Sequence, residues 1–289
     1  MKPAPFEHHA PESVAEVTGL LDEHGDEAKL LAGGQSLVPM LAMRLTHFPH
    51  LVDLNHVDEL TGITRHNGTL TIGATTRQAA IERTSEAAAV PLLGLAAPLI
   101  GHTQIRNRGT VGGSIAHADP AGELPAVALA LDAEMDIASA KNTRRVPARE
   151  FFTGTWETAV QDHELLAAVR FPVWSGRCGF AVEEMARRHG DFALVGAVCG
   201  VRLDDGGVIE QAAVAMLGVG STPIRAGATE AALRGTSPTD DDVDGAAQQA
   251  AAELDPPDDI HASATYRRQV GAHIVGRALA RALVEARND

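Results

Sequence analysis

The sequence is short of aromatic residues, of cysteine, of basic charge and of long apolar runs, and each shortage excludes something. Aromatic residues make up 3% of the 289 residues, with one Tyr and two Trp. Any core is therefore built from Ala, Val, Leu and Ile. The two cysteines, Cys178 and Cys199, form no Cys-x-x-Cys pair and no metal-ligand spacing. That excludes a chain-borne iron–sulfur cluster. A lone disulfide stays open, but a reduced cytoplasmic protein is the simpler reading. Lys plus Arg number 24 against 38 Asp plus Glu, a net charge of −14, which argues against nucleic acid as a partner. No apolar run is long enough to span a membrane, and the stretch Met1 to His9 has no apolar signal region. The expectation is a cytoplasmic chain with no integral membrane segment.

What is present is a chain that is 45% hydrophobic and long enough for two domains. Val14, Val17, Leu20 and Leu21 share one helical face in residues 11–24, with Gly25 as the stop. Strand-like residues 29–32 run into Gly33-Gly34-Gln35-Ser36, followed by a short helix over 37–44 and a strand over 51–54. Residues 63–73 read as a hairpin turning at Asn67-Gly68. Thr75 or Thr76 is positioned to cap a helix toward Arg83, and residues 86–100 read as helix broken at Pro91 and Pro98. A helix is expected from Pro120 to Leu131, capped by Asp119, then strands over 132–140 and 164–171. The Gly-rich stretch from Trp174 to Gly179 reads as a domain boundary. Beyond it come an antiparallel pair, 193–203 with 208–217, and helices near 226–234, 241–253 and 263–287. Between the first two helices, Ser237 to Asp244 is an acidic, flexible-looking run. The fold class is α+β.

Two motifs stand out, Ala32-Gly-Gly-Gln-Ser36 and Thr110-Val-Gly-Gly-Ser114. One such loop is more often a turn than a ligand site. Two of matching form suggest paired anion nests, in which consecutive N–H groups and a Ser hydroxyl grip a diphosphate from both sides. Neither is a Walker A sequence or a Gly-x-Gly-x-x-Gly fingerprint. Glu123, near the expected helix start, can cap that helix or reach a ligand hydroxyl.

These residues carry a resemblance. Leu31-Ala-Gly-Gly-Gln-Ser-Leu-Val-Pro-Met40, Ile105-Arg-Asn-Arg-Gly-Thr-Val-Gly-Gly-Ser-Ile-Ala-His-Ala-Asp-Pro-Ala-Gly-Glu-Leu-Pro-Ala126 and Arg187-Arg-His-Gly-Asp-Phe-Ala193 together resemble the FAD-binding medium subunit of molybdenum hydroxylases. The match covers essentially the whole chain. The resemblance implies a two-part FAD-binding domain of the vanillyl-alcohol-oxidase type over 1–175, with subparts of about 1–57 and 58–175. A smaller α+β C-terminal domain of antiparallel sheet plus helices follows over 177–289. It implies that Leu31, Ala32, Gly33, Gly34, Gln35, Ser36 and Leu37 hold the cofactor together with Ile105, Gly109, Thr110, Val111, Gly112, Gly113, Ser114 and Ala116. Glu123 would approach the adenosine ribose, Leu165, Leu166 and Ala167 would border the flavin or adenine, and Phe192 would approach the isoalloxazine face.

The implied assembly is a dimer of heterotrimers. A small subunit would carry two [2Fe–2S] clusters and a large subunit the molybdopterin cofactor. This chain would pass electrons from the clusters through FAD to an external acceptor, with no catalytic side chain and no metal of its own. Relatives often have Lys where Glu183-Glu184-Met185 stand here. The competing readings are a self-contained flavin oxidoreductase of the same fold and a bridging subunit that has lost FAD. His8, His9, His47, His50 and His56 read as scattered rather than as a metal site. His117 and Asp119 read as structural or FAD-contacting before acid–base. Arg106 and Arg108 read evenly as phosphate or subunit contacts and as surface charge.

Overall fold

The computed structural model describes residues 2–288. The chain begins with a lobe of β1 (Glu7–His9), α1 (Val14–His24), β2 (Ala28–Leu31), α2 (Leu37–Met43) and β3 (His50–Asp53). The three strands form a parallel sheet in the order β1-β3-β2. Ser13 caps α1 by accepting from Glu16 N, and Gly25 ends it at φ 52°, a left-handed value that suits glycine. The apolar face of α1, Val17 and Leu21, packs with Val52, Leu54 and Leu165.

The second part holds β4 (Ile63–His66), β5 (Thr69–Gly73), α3 (Gln78–Ile81), α4 (Pro91–Ala96), α5 (Thr103–Arg106), α6 (Val111–His117) and α7 (Glu123–Ala130). It continues with β6 (Glu134–Ser139), β7 (Thr143–Pro147), α8 (Ala148–Phe151), β8 (Phe152–Gly154), β9 (Glu157–Thr158) and β10 (Glu164–Pro172). A five-stranded antiparallel sheet runs β4-β5-β10-β6-β7. Asn67-Gly68, both at positive φ, turn the β4–β5 hairpin as expected.

Three local expectations are corrected. Thr75 and Thr76 cap no helix: their hydroxyls bond Thr61 and the Gly62 backbone, and α3 starts two residues later. Pro91 opens α4 at its first turn rather than breaking a helix. The helix expected from Pro120 begins at Glu123 instead. Asp119 accepts from Ala121 N at 2.9 Å and closes a local turn, so the helix waits for Gly122. Pro125 then falls in the first turn, where a missing N–H costs nothing.

The third part holds β11 (Arg177–Met185), β12 (Val195–Leu203), β13 (Ile209–Leu217), β14 (Ile224–Arg225), α9 (Gly227–Leu233), α10 (Asp240–Ala252) and α11 (Ala264–Asn288). Strands β11 to β14 form an antiparallel sheet in chain order. The expected boundary segment runs directly into β11, a nine-residue strand that the polar reading of 174–179 hid. The acidic run after Ser237 is ordered by Thr239 and Asp242, which form a reciprocal capping box on α10.

The sheet buries both faces, which explains why β12 reads as an unbroken apolar run. Ala197, Cys199, Val201, Val214 and Met216 face α10 and α11. Val198, Ala213, Ala215 and Leu217 belong to the core of the second part, together with all of α7 from Leu124 to Ala130. The turn before α7 and the helix's C-terminal end are tied to this part: Gly218 N, just after β13, donates to Pro120 O at 2.8 Å, and Arg225 Nη1 donates to Leu129 O at 2.7 Å. No helix among the described residues is long and apolar enough to cross a membrane.

Helix α11 lies so close to β11 that a Cβ on Gly179 would sit 1.9 Å from Ala282 O. Gly179→Ala is expected to destabilise the chain by about 1–3 kcal/mol through overpacking. Gly19→Ala, in open space on α1, is expected to stabilise by about 0.5–1 kcal/mol. Denaturant unfolding of the two variants against the parent checks both signs.

Candidate functional site

The first Gly-Gly motif leaves β2 as a loop and enters α2. The N–H groups of Gly33, Gly34, Gln35 and Ser36 find no acceptor among the described residues. Ser36 starts α2 without a side-chain cap bond, so its hydroxyl is uncommitted too. Gly34 sits at φ 71°, which turns successive N–H groups to one side. Gln35 Nε2 steadies the loop by donating to Gly33 O at 3.0 Å. A cavity of about 420 Å³ opens beside it, walled by Leu31 to Gln35, Val38, Pro39, Asp53, Asn55 and Arg108.

The second motif meets the first by backbone contact. A Cβ on Gly33 would lie 2.5 Å from Arg108 O and 2.7 Å from Gly109 Cα, so no other residue fits there without moving the chain. A Cβ on Gly113 would lie 3.5 Å from Ala32 Cβ and 2.6 Å from Thr110 Oγ1. Gly112 presses on Ala74 and Gly109 on Gln78 in the same way. The junction is also cross-tied by polar side chains. Asn55 Nδ2 donates to Ala32 O at 3.1 Å, Arg77 Nη2 donates to Asn55 Oδ1 at 2.6 Å, and Arg77 Nη1 donates to Arg108 O. Asp53 holds Asn55 in place by accepting from its backbone N at 3.0 Å.

The second motif is not itself a nest. Thr110 caps α6 by accepting from Gly113 N at 3.0 Å, and the N–H groups of Val111, Gly112 and Ser114 donate to Thr76 O, Ala74 O and Thr110 O. Its glycines let α6 close onto the loop of Ala74 and onto Ala32. The paired-nest expectation is thereby corrected to one nest and one buttress.

Charge at the junction favours an anion. Burial and the neighbouring Arg108 charge both hold the Arg77 guanidinium below its ordinary value, while Asp53 opposes them. Burial pushes the Asp53 carboxyl up, but the bonds from Asn55 and His8 outweigh it and hold it below the usual range. Arg108 and the glycine loop with its free N–H groups thus border one cavity, with the Arg77 guanidinium bonded to Asn55 and Arg108 in its wall. Asn55 and Arg77 carry no motif and were missed in the sequence. The available signal was an Asp-x-Asn sequence following the apolar Leu51-Val52 pair.

Other expected site residues fall elsewhere. Leu37 is the first residue of α2, and Ile105 and Ala116 lie exposed on α5 and α6. Leu165 and Leu166 are core residues on opposite faces of β10. Ala167, at the irregularity in the β10–β6 register, gives its carbonyl to Ala74 N at 2.9 Å. Phe192 is 61% exposed. Arg106 is buried and bound to Glu82 at 2.6 Å and to the carbonyls of Ile100 and Gly101. It braces the turn before the second motif and does not face the cavity.

Glu123 opens α7 and is buried. Burial pushes its carboxyl up to about 8, opposed by its own backbone N–H and assisted by Glu184 and Asp119. Burial likewise pushes Glu184 up to about 7, and its Oε2 is buried without a hydrogen-bond partner. The two acidic residues preceding Arg187-Arg188 therefore differ. Glu183 pairs with Arg277 at 3.0 Å and with Arg281 on α11, whereas Glu184 points to the Glu123 side. His117 stacks on Trp156 with centroids 6.2 Å apart, and Trp156 Nε1 donates to Asp119 at 3.2 Å. Burial holds the His117 imidazole below its ordinary value. No nucleophile–base pair is among these contacts.

Comparison with known proteins agrees over the full chain. Residues 4–174 match the FAD binding domain in molybdopterin dehydrogenase, and residues 180–282 match the CO dehydrogenase flavoprotein C-terminal domain. The chain is 42% identical to the 6-hydroxypseudooxynicotine dehydrogenase complex subunit alpha of Paenarthrobacter nicotinovorans, over 99% of this chain and 97% of that protein. It is 38% identical to the carbon monoxide dehydrogenase medium chain of Hydrogenophaga pseudoflava, over 96% and 97%. A solved structure of carbon monoxide dehydrogenase from Hydrogenophaga pseudoflava, in a form lacking the Mo-pyranopterin moiety of its cofactor, has a chain that superposes with a TM-score of 0.96. That match has 39% identity and covers 99% of both chains.

The raised acid at α7 makes stability depend on pH. Glu123 binds its proton more tightly folded, at about 8, than at the ordinary 4.5. Its contribution is complete below about 4.5 and is lost as pH rises through about 8. Unfolding free energy of the flavin-free chain is expected to fall between pH 5 and 8.5 by an amount on the order of a few kcal/mol. Glu123→Gln should reduce that slope to the part that buried Glu184 contributes. Urea titrations at a series of pH values measure it; an unchanged slope in Glu123→Gln would contradict the assignment.

Proposed function

We propose a function that proceeds from one premise: the chain belongs to the FAD-binding medium subunits of the molybdenum hydroxylases. It serves as the flavin subunit of a cytoplasmic electron relay. A molybdopterin cofactor in a large subunit and two [2Fe–2S] clusters in a small subunit lie on the donor side, and an external acceptor lies on the other. The assembly is a dimer of such heterotrimers, and the substrate is oxidised on the large subunit. FAD, when bound, supplies the exchange between one-electron and two-electron transfer. The protein residues bind, orient and shield it.

The observation that carries this reading is the run of unpartnered N–H groups from Gly33 to Ser36 at a cavity that Arg108 also lines, with Arg77 bonded behind it. Such a run accepts a diphosphate with little reorganisation. Arg77 and Arg108 offset its charge, and Gly109 to Ser114 form the rigid wall behind it. Glu123, protonated at neutral pH, would offer the adenosine ribose both a donor and an acceptor. Exposed Phe192 would cover the flavin face, and the Leu165–Ala167 segment of β10, whose leucines are core residues, would brace the site from the sheet. In this reading the chain divides into a flavin-binding domain over 1–175, in subparts of about 1–57 and 58–175, and a C-terminal domain over 177–289.

The purified chain, alone or reconstituted with FAD, is expected to show flavin absorption near ~450 nm, a property of the cofactor. Gly33→Val and Gly113→Leu should lose most of it, because each added side chain forces the two motifs apart. Flavin retention by both variants would remove the cradle assignment. Bleaching of the flavin by an organic substrate with the isolated chain, or iron in that chain, would remove the subunit role.

A further inference from the structure

Three imidazoles from distant parts of the chain converge at one corner of the first lobe. His9 ends β1, His24 ends α1 and His50 opens β3. Of the histidines read as scattered, His9 and His50 come together here, joined by His24; His8, His47 and His56 are not in the group. One ligand nitrogen from each lies within 4.8 Å of the other two, and all three residues are half-buried. His9 Nε2 and His50 Nδ1 are 3.0 Å apart. Glu7 brings Oε2 to 3.7 Å from His50 Nδ1. The group sits at the opposite end of β3 from Asp53, so it is separate from the loop that borders the cavity.

We propose that His9, His24 and His50, with Glu7 as a fourth ligand, bind one divalent transition-metal ion of the class that prefers imidazole, such as Zn²⁺. Imidazole and carboxylate together form a donor set suited to that class. Two imidazole nitrogens on a tetrahedral ion at 2.0–2.1 Å stand about 3.3 Å apart, close to the His9–His50 separation. The ion takes the place of the hydrogen bond between those two rings. His24 stacks on His50 with centroids 3.8 Å apart and planes 11° from parallel. Ligation turns its ring out of the stack so that a nitrogen points at the ion, a rotation within its half-buried site. Glu7 is largely exposed and free to close the fourth position. His24 also lies at the C-terminus of an eleven-residue helix, where the backbone carbonyls favour a cation.

The ion would staple β1, α1 and β3, closing two chain loops in the lobe whose middle strand neighbours β2 and its glycine loop. The site is independent of the flavin reading and is tested without reference to flavin. Titration of the tag-free, chelator-stripped full chain with Zn²⁺ by calorimetry is expected to show one saturable site per chain. Binding should weaken more than about tenfold in His24→Gln and in His50→Gln and stay unchanged in His56→Gln, whose side chain is exposed. Co²⁺ in the parent chain should give the intense visible bands of a tetrahedral ion, and the parent's Tm should climb with the logarithm of free Zn²⁺. These two measurements hold even if a variant folds poorly. Absence of saturable binding in the parent, or equal affinity in folded His24→Gln and His50→Gln, overturns the proposal.

Discussion

The junction between the first two parts depends on the missing side chain at Gly33. Because that position has no Cβ, the loop after β2 lies directly on the backbone of Arg108 and Gly109. This contact, with the apolar face of α1 packed on Leu165 and Ala138, holds the parallel-sheet lobe against the antiparallel-sheet part. The Asn55 and Arg77 bonds then fix its register by satisfying the carbonyls of Ala32 and Arg108. The N–H groups from Gly33 to Ser36 are left without an acceptor among the described residues.

The same economy of side chains recurs beyond the junction. With few aromatics available, close backbone approach takes the place of large rings in filling space. Gly73 meets Leu60 O, Gly112 meets Ala74 and Gly179 meets Ala282 O. A core of Ala and Val packs helices close to sheets, and each glycine marks where the approach is closest.

Much of this was legible because its signals are local. Alternation and turn residues gave the β4–β5 hairpin and the β12–β13 pair, and helical periodicity with Gly25 as the stop gave α1. Glycine motifs of matching form identified the two segments that meet. What escaped was set by tertiary contacts. The sequence cannot say that Thr110 Oγ1 and the carbonyls of Ala74 and Thr76 consume the N–H groups of the second motif. It cannot say that Asn55 and Arg77, distant in sequence, tie the two segments together. β11 was hidden because its first residues are polar and glycine-rich, and its strand character rests on α11 and β12 packed against it. Glu183 and Glu184 look alike in sequence, yet strand alternation sends one to the arginines of α11 and the other into a buried space.

The sheet of the third part has a consequence for how such chains are inherited. Its inner face is the roof of α7, and hydrogen bonds join it to the turn before that helix and to the helix's C-terminal end. The two family segments that meet near residues 174–180 are thus separate in sequence but not in packing. A recombination event at that junction joins two halves of one shared interior rather than two finished bodies. An exchanged sheet would have to bring residues that complement the α7 it covers. The two segments are one packing unit, although the chain reads as two.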